Sequence, residues 1–200
     1  AIGWFQDGME FGPRSLGARS ILADPRIKDM QKRLNLKIKF RENFRPFAPS
    51  ILKEDVDKWF DIENDSPYML MVADIKESKQ IKMTDIEKTL FGIKKLDIIR
   101  SEIPAVTHVD YSSRIQTVDK DSNYKFFKLI KEFKELTGCP VLVNTSFNIR
   151  GEPIVNTPKE AFECFMNTEL DILAIGNCYL SKKDQITSIK NDFNRKVYID

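Results

Sequence analysis

The sequence predicts one domain of mixed α/β or α+β class, and three observations predict it. Short apolar runs alternate with amphipathic helical patterns along the chain. Two helices carry explicit boundary signals, Gly138 behind one and Thr157-Pro158 ahead of the other. The 200 residues, 42% of them hydrophobic, suffice for a single sizeable core.

Taken in order, Ile2 to Phe5 reads as an apolar strand, and Gly12, Pro13, Gly17 and Pro25 set Arg14, Arg19 and Arg26 in an ordered loop around a second strand, Ser20 to Ala23. Ile27, Met30, Leu34 and Ile38 follow helical spacing, which predicts an amphipathic helix to about Leu36. Phe47 to Leu52 is a buried strand, Val56, Trp59 and Phe60 mark a short helical face, and Tyr68 to Ile75 is a further strand. From Lys76 to Arg100 charge density rises and periodicity breaks up, the pattern of a surface excursion, either a lid or a tolerated insertion. Ala105 to Val109 and Arg114 to Val118 alternate as a hairpin joined by Asp110 to Ser113.

A long helix follows, with Phe126, Leu129, Ile130, Phe133 and Leu136 on one face and Gly138 as its stop. Pro140 to Asn144 forms a short buried strand ending in polar residues. Thr157, Pro158 and Glu160 spell a capping box before the helix that buries Ala161, Phe162, Phe165 and Met166. Ile172 to Leu180 is the last strand. The domain thus spans 1–180, and 181–200 is a polar tail that frays.

Composition narrows the partners. Thirty-two Lys and Arg against 30 acidic residues leave a net charge of +2, so no global field recruits nucleic acid or an anionic membrane, and any anion site is local. No apolar run approaches the roughly 20 residues of a spanning helix, and no signal peptide is evident. Cys139, Cys164 and Cys178 are odd in number and widely spaced, which fits a reducing cytoplasm rather than a disulfide framework or zinc knuckle. The chain opens on Ala1 without a methionine and runs straight into a strand, which reads as a piece of something larger, the alternative being a complete protein that has lost its first residue.

The densest chemistry is in KIKFRENFRPFAPS. If residues 37 to 41 are extended, Lys37, Lys39 and Arg41 share one face and form a cationic wall suited to phosphate, with Arg45 close by. A solvated basic strand is the bland alternative. The second cluster, Asn144, Thr145, Ser146 and Asn148, ends a buried strand with Gly151 behind it; strand ends are where ligands dock, although Asn and Ser also make good turns there. His108 is the only histidine, so no all-histidine metal site and no separate Ser/His/Asp triad can be assembled, and a structural residue beside Asp110 is the favoured reading for it. No protein metal ligands are assigned. Cys139 reads as core rather than nucleophile.

Lys39-Phe40-Arg41 followed far downstream by Ser146-Phe147-Asn148 matches the KxR and SxN pattern of YrdC-type adenylate-forming domains. The longer strings WFQ..MEFGPRSLGARSILADPR, KFRENFRPFAPSIL, SPYML, PAVTHVD...RIQTV and PVLVNTSFNIRGEPIV make the chain similar to the C-terminal domain of O-carbamoyltransferases of the NodU/TobZ type, from Gly3 to about Leu180. The resemblance implies a YrdC-like twisted mixed sheet flanked by helices. It implies a site for carbamoyl phosphate and ATP, with Mg2+ accompanying the nucleotide, lined by Lys39, Arg41, Arg45, Arg114, Ser146 and Asn148. Arg14, Arg19, His108 and Gln116, with Asn144 and Thr145, would be its neighbours. It also implies that carbamoyl-adenylate made here is handed to an N-terminal Kae1-like domain of the same protein, which carbamoylates the hydroxyl of a small-molecule acceptor. The pattern departs from the family at Asp7-Gly8, where Gly-Arg is usual, so the role of that missing cation is open. Two other classes stay in view: a YrdC/Sua5-like module that binds RNA or forms threonylcarbamoyl-adenylate, which the near-neutral charge disfavours, and a degenerate domain with only a structural role. A homodimer is left open.

Overall fold

The structure, a computed structural model, describes residues 1–185. In chain order it has β1 (Ile2–Phe5), β2 (Arg19–Ala23), helix α1 (Met30–Arg33) running into a π-helical turn (Leu34–Ile38), β3 (Ala48–Leu52), the single turn α2 (Val56–Trp59) and β4 (Phe60–Asp61). Then come β5 (Val72–Ile75), α3 (Asp85–Thr89), β6 (Ser112–Arg114), β7 (Gln116–Val118), α4 (Tyr124–Thr137), β8 (Val141–Ser146), α5 (Pro158–Asn167), β9 (Ile172–Ile175) and β10 (Cys178–Ser181).

Seven strands form one mixed sheet in the order β10-β9-β1-β2-β8-β3-β7, with β1–β9 and β3–β7 parallel, and β4-β5-β6 form a smaller antiparallel sheet. Period-two alternation gives each inner strand of the large sheet two apolar faces. Leu22, Leu52, Val118 and Leu142 pack with Phe126 and Ile130 of α4. Ile21, Ile51, Val141 and Val143 belong to a larger core with Leu34, Ile38, Phe147, Ala161 and Phe165. β8, held between β2 and β3, therefore ends inside the molecule rather than at an edge.

The helix ends follow their sequence signals. Asn123 accepts from the Phe126 amide at the start of α4, and Gly138 closes that helix at φ 75°, donating to the Lys134 carbonyl at 2.7 Å. Thr157 and Glu160 form the expected capping box of α5, with Pro158 in its first turn. The approach of α4 to the sheet depends on Gly17, which sits at φ +107°, and a Cβ there would lie 2.2 Å from the Phe126 ring. The ring thus packs directly on the Gly17 backbone.

Several expectations are corrected. The first helix begins at Met30 rather than Ile27 and tightens its path by a π turn, so residues 37 to 41 are not extended. The proposed hairpin does not form: residues 104–106 make a 3-10 turn, and β6 and β7 join different sheets because Ile115 is buried between them. The strand assigned to 68–75 shortens to β5, since Met69 takes φ 57°. Residues 172–180 are two antiparallel strands that turn at Gly176, φ 53°, and not one. Phe60 leaves the helical turn for β4, where it pairs with Ile75. The excursion after Lys76 is mostly exposed, with a capping box on α3 and a 3-10 stretch over Gly92–Asp97, but it re-enters the body at Ile98 and Arg100, both buried. Of the predicted tail, 186–200 lie outside the described residues.

Gly17→Ala imposes both a strained φ and a clash with Phe126, and should destabilise the domain by about 2 kcal/mol or more, a Tm drop of about 4–8 °C for a chain of this size. A Tm within 1 °C of wild type in thermal unfolding would contradict this packing.

Candidate functional site

The site is built where the π turn meets the end of β8. A π turn inserts one extra residue, and here the Lys39 amide bonds back to the Leu34 carbonyl at 2.9 Å and the Arg41 amide to the Asn35 carbonyl at 3.0 Å. Phe40 then adopts φ +50°, a left-handed conformation that costs a non-glycine residue about 1–3 kcal/mol. The reversal sends the ring of Phe40 to the surface, turns Lys39 inward and lets Arg41 fold back over the turn. Lys37, one position before the turn's end, points elsewhere and pairs with Glu169 at the surface. The common cationic wall of Lys37, Lys39 and Arg41 is thus replaced by a cluster with a different third member.

Lys39 is 3% exposed, and its three ammonium N–H groups are shared among four oxygens: Ser146 O at 2.6 Å, Ser146 Oγ at 3.1 Å, Asn148 Oδ1 at 2.7 Å and Asn148 O at 3.0 Å. Ser146 Oγ also donates to Asn148 Oδ1 at 2.7 Å, and Asn148 Nδ2 donates to the Glu152 carbonyl. The Lys39 carbonyl accepts from the Arg150 amide, so backbone and side chain both lock the turn to residues 146–150. Burial, followed by the repulsion of Arg41, lowers the Lys39 pKa to about 7, and no carboxylate offsets it. The oxygen cage favours the charged form, while the low dielectric opposes it, and the result is a lysine that titrates near neutrality.

Arg41 is held by Asn35, which is fully buried. Asn35 Oδ1 accepts from Arg41 Nε at 2.7 Å, and its Nδ2 donates to the carbonyls of Asn43 and Arg45 at 3.2 and 2.8 Å. Every polar atom of this side chain fixes the 41–45 segment. The Arg41 guanidinium also lies 5.0 Å from the Phe47 ring centroid.

Two small adjoining cavities result. One, about 130 Å3, is lined by Arg14, Arg41, Arg114, Asn144, Thr145 and Ser146, among others. The next, about 210 Å3, is lined by Lys39, Arg41, Arg45, Ser146, Asn148 and residues 149–151. No Asp or Glu lines either. Burial, and then the charge of Arg14, lowers the pKa of Arg114; burial, and then Arg45, lowers that of Arg41. Arg45 and Arg150 pair with Glu42, which lies outside the cavities and also exerts a weaker opposing pull on Arg41. Two buried polar atoms at the first cavity lack a partner, Asn144 Oδ1 and Arg114 Nε. Both atoms are enclosed just behind the cavity wall, so a small movement of either side chain would offer an acceptor and a guanidinium N–H to an anionic ligand that also donates hydrogen bonds.

Of the residues expected in the site, Arg14, Lys39, Arg41, Arg45, Arg114, Asn144, Thr145, Ser146 and Asn148 line these two cavities. Three do not. Arg19 is buried with its Nη atoms on the carbonyls of Gln6, Ala18 and Asp7 and its guanidinium 3.5 Å above the Phe5 ring, where it braces the loop after β1. Gln116 stands behind the cavity, accepting from Ser50 Oγ and Asn144 Nδ2 and donating to the Leu16 carbonyl. His108 opens onto a separate, neighbouring cavity. Its imidazole pKa is lowered by burial and by Arg114, against the opposing pull of Asp110. The Asp7 carboxylate, where the family usually has a cation nearby, pairs with Lys125 at 2.7 Å and stays clear of the cavities. Asn35, Ser15 and Met69 were not foreseen; Asn35 is hidden next to core positions of a helical pattern, and no spacing marks it.

The fold and this cluster define a mixed α/β domain with a cation-lined cleft, and the comparisons place it. Residues 1–182 match the family model described as carbamoyltransferase C-terminus, and the chain belongs to that family. It is 56% identical to an uncharacterized protein of Synechocystis sp. over 92% of the chain and 30% of that protein. It is 41% identical to nodulation protein NolNO of Sinorhizobium fredii over 97% of the chain and 26% of that protein. It is also 37% identical to the 3'-hydroxymethylcephem-O-carbamoyltransferase of Amycolatopsis lactamdurans over 78% of the chain and 25% of that enzyme. The chain thus spans under a third of the length of these relatives. Among the described residues, no helix is long and apolar enough to cross a membrane.

Because Lys39 loses its proton near pH 7, anion binding should weaken as pH rises through that value. Sulfate, which does not titrate in this range, should bind several-fold more tightly at pH 6 than at pH 8 in isothermal titration. The dependence should vanish in Lys39→Met. Equal affinity of the wild type at the two pH values would contradict a titrating Lys39 at the anion site.

Proposed function

We propose that this domain binds carbamoyl phosphate and ATP and joins carbamate to AMP, serving as the activating half of an O-carbamoyltransferase. The observation that carries the reading is the pairing of Arg14, Arg41 and Arg114 around a cavity free of carboxylates, with Asn144 Oδ1 left as an unmet acceptor. A carbamoyl group offers N–H donors to that acceptor, and its phosphate suits the arginines.

In the reaction, water takes the phosphoryl group from carbamoyl phosphate, releasing phosphate and carbamate. A carbamate oxygen then forms a bond to the α-phosphorus of ATP while the bond to the β-phosphate oxygen breaks and pyrophosphate leaves. Both reactants are anions, so the protein's main task is to hold them together in fixed positive potential, and no protein nucleophile is required. Arg14 and Arg114 hold phosphate charge, Arg41 bridges the two cavities, and Asn144 orients the carbamoyl amide. Lys39 keeps Ser146 and Asn148 in register and adds charge when protonated. A Mg2+ accompanying the nucleotide would rest on its phosphates, since neither cavity offers a carboxylate.

The product would pass to a transfer domain elsewhere in the full-length protein, the N-terminal Kae1-like partner that the family resemblance implies, and there meet the hydroxyl of a small-molecule acceptor. The relatives' greater length supports that division of labour.

Calorimetric titration with carbamoyl phosphate and with Mg-ATP, separately and together, tests the reading. Arg41→Ala should lower the affinity for each by about a hundredfold, about 3 kcal/mol, while the orphaned Asn35 Oδ1 lowers Tm by several degrees without unfolding the domain. Unchanged affinity in the variant would overturn the assignment of Arg41, and no binding by folded wild type would favour a purely structural role.

A further inference from the structure

Three buried polar side chains meet where β8, β3 and β7 lie side by side: Asn144, Ser50 and Gln116. Ser50 is registered with Gln116 in the parallel β3–β7 pair, and Asn144 with Ala48 in the antiparallel β3–β8 pair. Ala48 and Ser50 share a face of β3, so the three side chains converge. Asn144 Nδ2 donates to the Ser15 carbonyl at 3.1 Å, to Ser50 Oγ at 3.0 Å and to Gln116 Oε1 at 2.8 Å. Ser50 Oγ donates in turn to Gln116 Oε1 at 2.6 Å, and Gln116 Nε2 donates to the Leu16 carbonyl at 2.9 Å.

An amide side chain can face either way, and its hydrogen-bond partners decide which. Here two backbone carbonyls decide, because a carbonyl only accepts. The Leu16 carbonyl takes Gln116 Nε2 and turns Gln116 Oε1 toward Asn144. The Ser15 carbonyl and Gln116 Oε1 then both require a donor, and Asn144 Nδ2 supplies it. A reversed Asn144 would set its oxygen against two acceptors. The observed orientation leaves Oδ1 as the unmet atom, just behind the wall of the cavity that Arg14, Arg41 and Arg114 line. Both carbonyls belong to the loop that carries Arg14, and the Glu10 carboxylate closes that loop, its Oε1 accepting from the amides of Leu16, Ala18 and Arg19.

We propose that Gln116 and Ser50 are positioning residues that set the specificity of the site: they hold Asn144 with its oxygen as the group open to a ligand, so that the cleft selects acyl phosphates whose acyl group carries an N–H. The inference rests on the carbamoyl reading of Asn144 above and names the residues that enforce it. Arginines bind the phosphate of a carbamoyl or an acetyl group alike. Discrimination falls to Asn144 Oδ1, which a ligand N–H satisfies and a methyl group leaves buried and unmet.

The test is calorimetric titration with carbamoyl phosphate and with acetyl phosphate, without nucleotide. The wild type should prefer carbamoyl phosphate by about tenfold or more. Gln116→Met, which removes both polar atoms at similar volume, and Ser50→Ala should each cut that preference at least threefold, with acetyl phosphate affinity within twofold of wild type. Should Gln116→Met fail to fold, Ser50→Ala decides the test by itself. A preference kept in a folded variant, or an equal loss for the two ligands, overturns the positioning role of that residue and leaves the Asn144 reading standing. No preference or no binding in the wild type, or a preference that survives Asn144→Ala, overturns the carbamoyl reading of Asn144 and this inference together.

Discussion

The Lys39 ammonium, enclosed by four oxygens of Ser146 and Asn148, is the contact on which the rest of the site depends. It ties the π turn that ends the first helix to the strand that runs through the middle of the sheet. With the Arg150 amide on the Lys39 carbonyl and Asn35 on Arg41 and the Arg45 carbonyl, it supports the left-handed backbone at Phe40 and the placing of Arg41 and Arg45 beside the end of β8. A lysine in such a cage is a positive charge in a poorly solvated place with no counterion. Its depressed pKa means that the unfolded chain binds this proton more readily than the folded one. By linkage, the resulting destabilisation is fully present below about pH 7 and is relieved as pH rises toward the ordinary lysine range. An anion beside Lys39 would reverse the imbalance, so ligand binding and folding stability are coupled through this group.

The wider cluster repeats the theme. Arg14, Arg41 and Arg114 converge without an acidic residue between them, in a protein whose overall charge is only +2. Like charges at close quarters raise the energy of the ligand-free state, and burial adds to it. Such an arrangement favours anions strongly over neutral molecules, yet projects little field beyond the cleft. The chain's membership of the carbamoyltransferase C-terminus family gives that local charge a chemical context.

Much of this was readable from the residues because local chemistry decided it. The Thr157 capping box, the Gly138 stop and the buried run ending in Asn144 each depend on a few neighbours, and the structure keeps all three. KxR and SxN also identified partners that meet across more than a hundred residues, as Lys39 and Ser146 do. Period-two reasoning failed over 37–41, where the extra residue of a π turn rotates the side chains in a way that no alternation reveals. It failed again around 105–118, because Ile115 is buried and splits what looks like one hairpin between two sheets. Arg19, a site neighbour by the family resemblance, is instead captured by the carbonyls of Gln6 and Asp7, which lie far enough from it in the chain that no local pattern reveals the contact. Asn35, which holds Arg41 and the backbone of the next segment, carried no signal, since its importance comes from tertiary proximity alone.

The central claim is that the phosphate of the ligand sits among Arg14, Arg41 and Arg114 with Asn144 Oδ1 within hydrogen-bonding reach of the carbamoyl amide. A crystal structure of the chain grown with carbamoyl phosphate tests it most directly. The account predicts a phosphate bridged by the three guanidinium groups and an amide nitrogen about 3 Å from Asn144 Oδ1. A ligand ordered at any other surface, with those arginines unchanged and uncontacted, would contradict it.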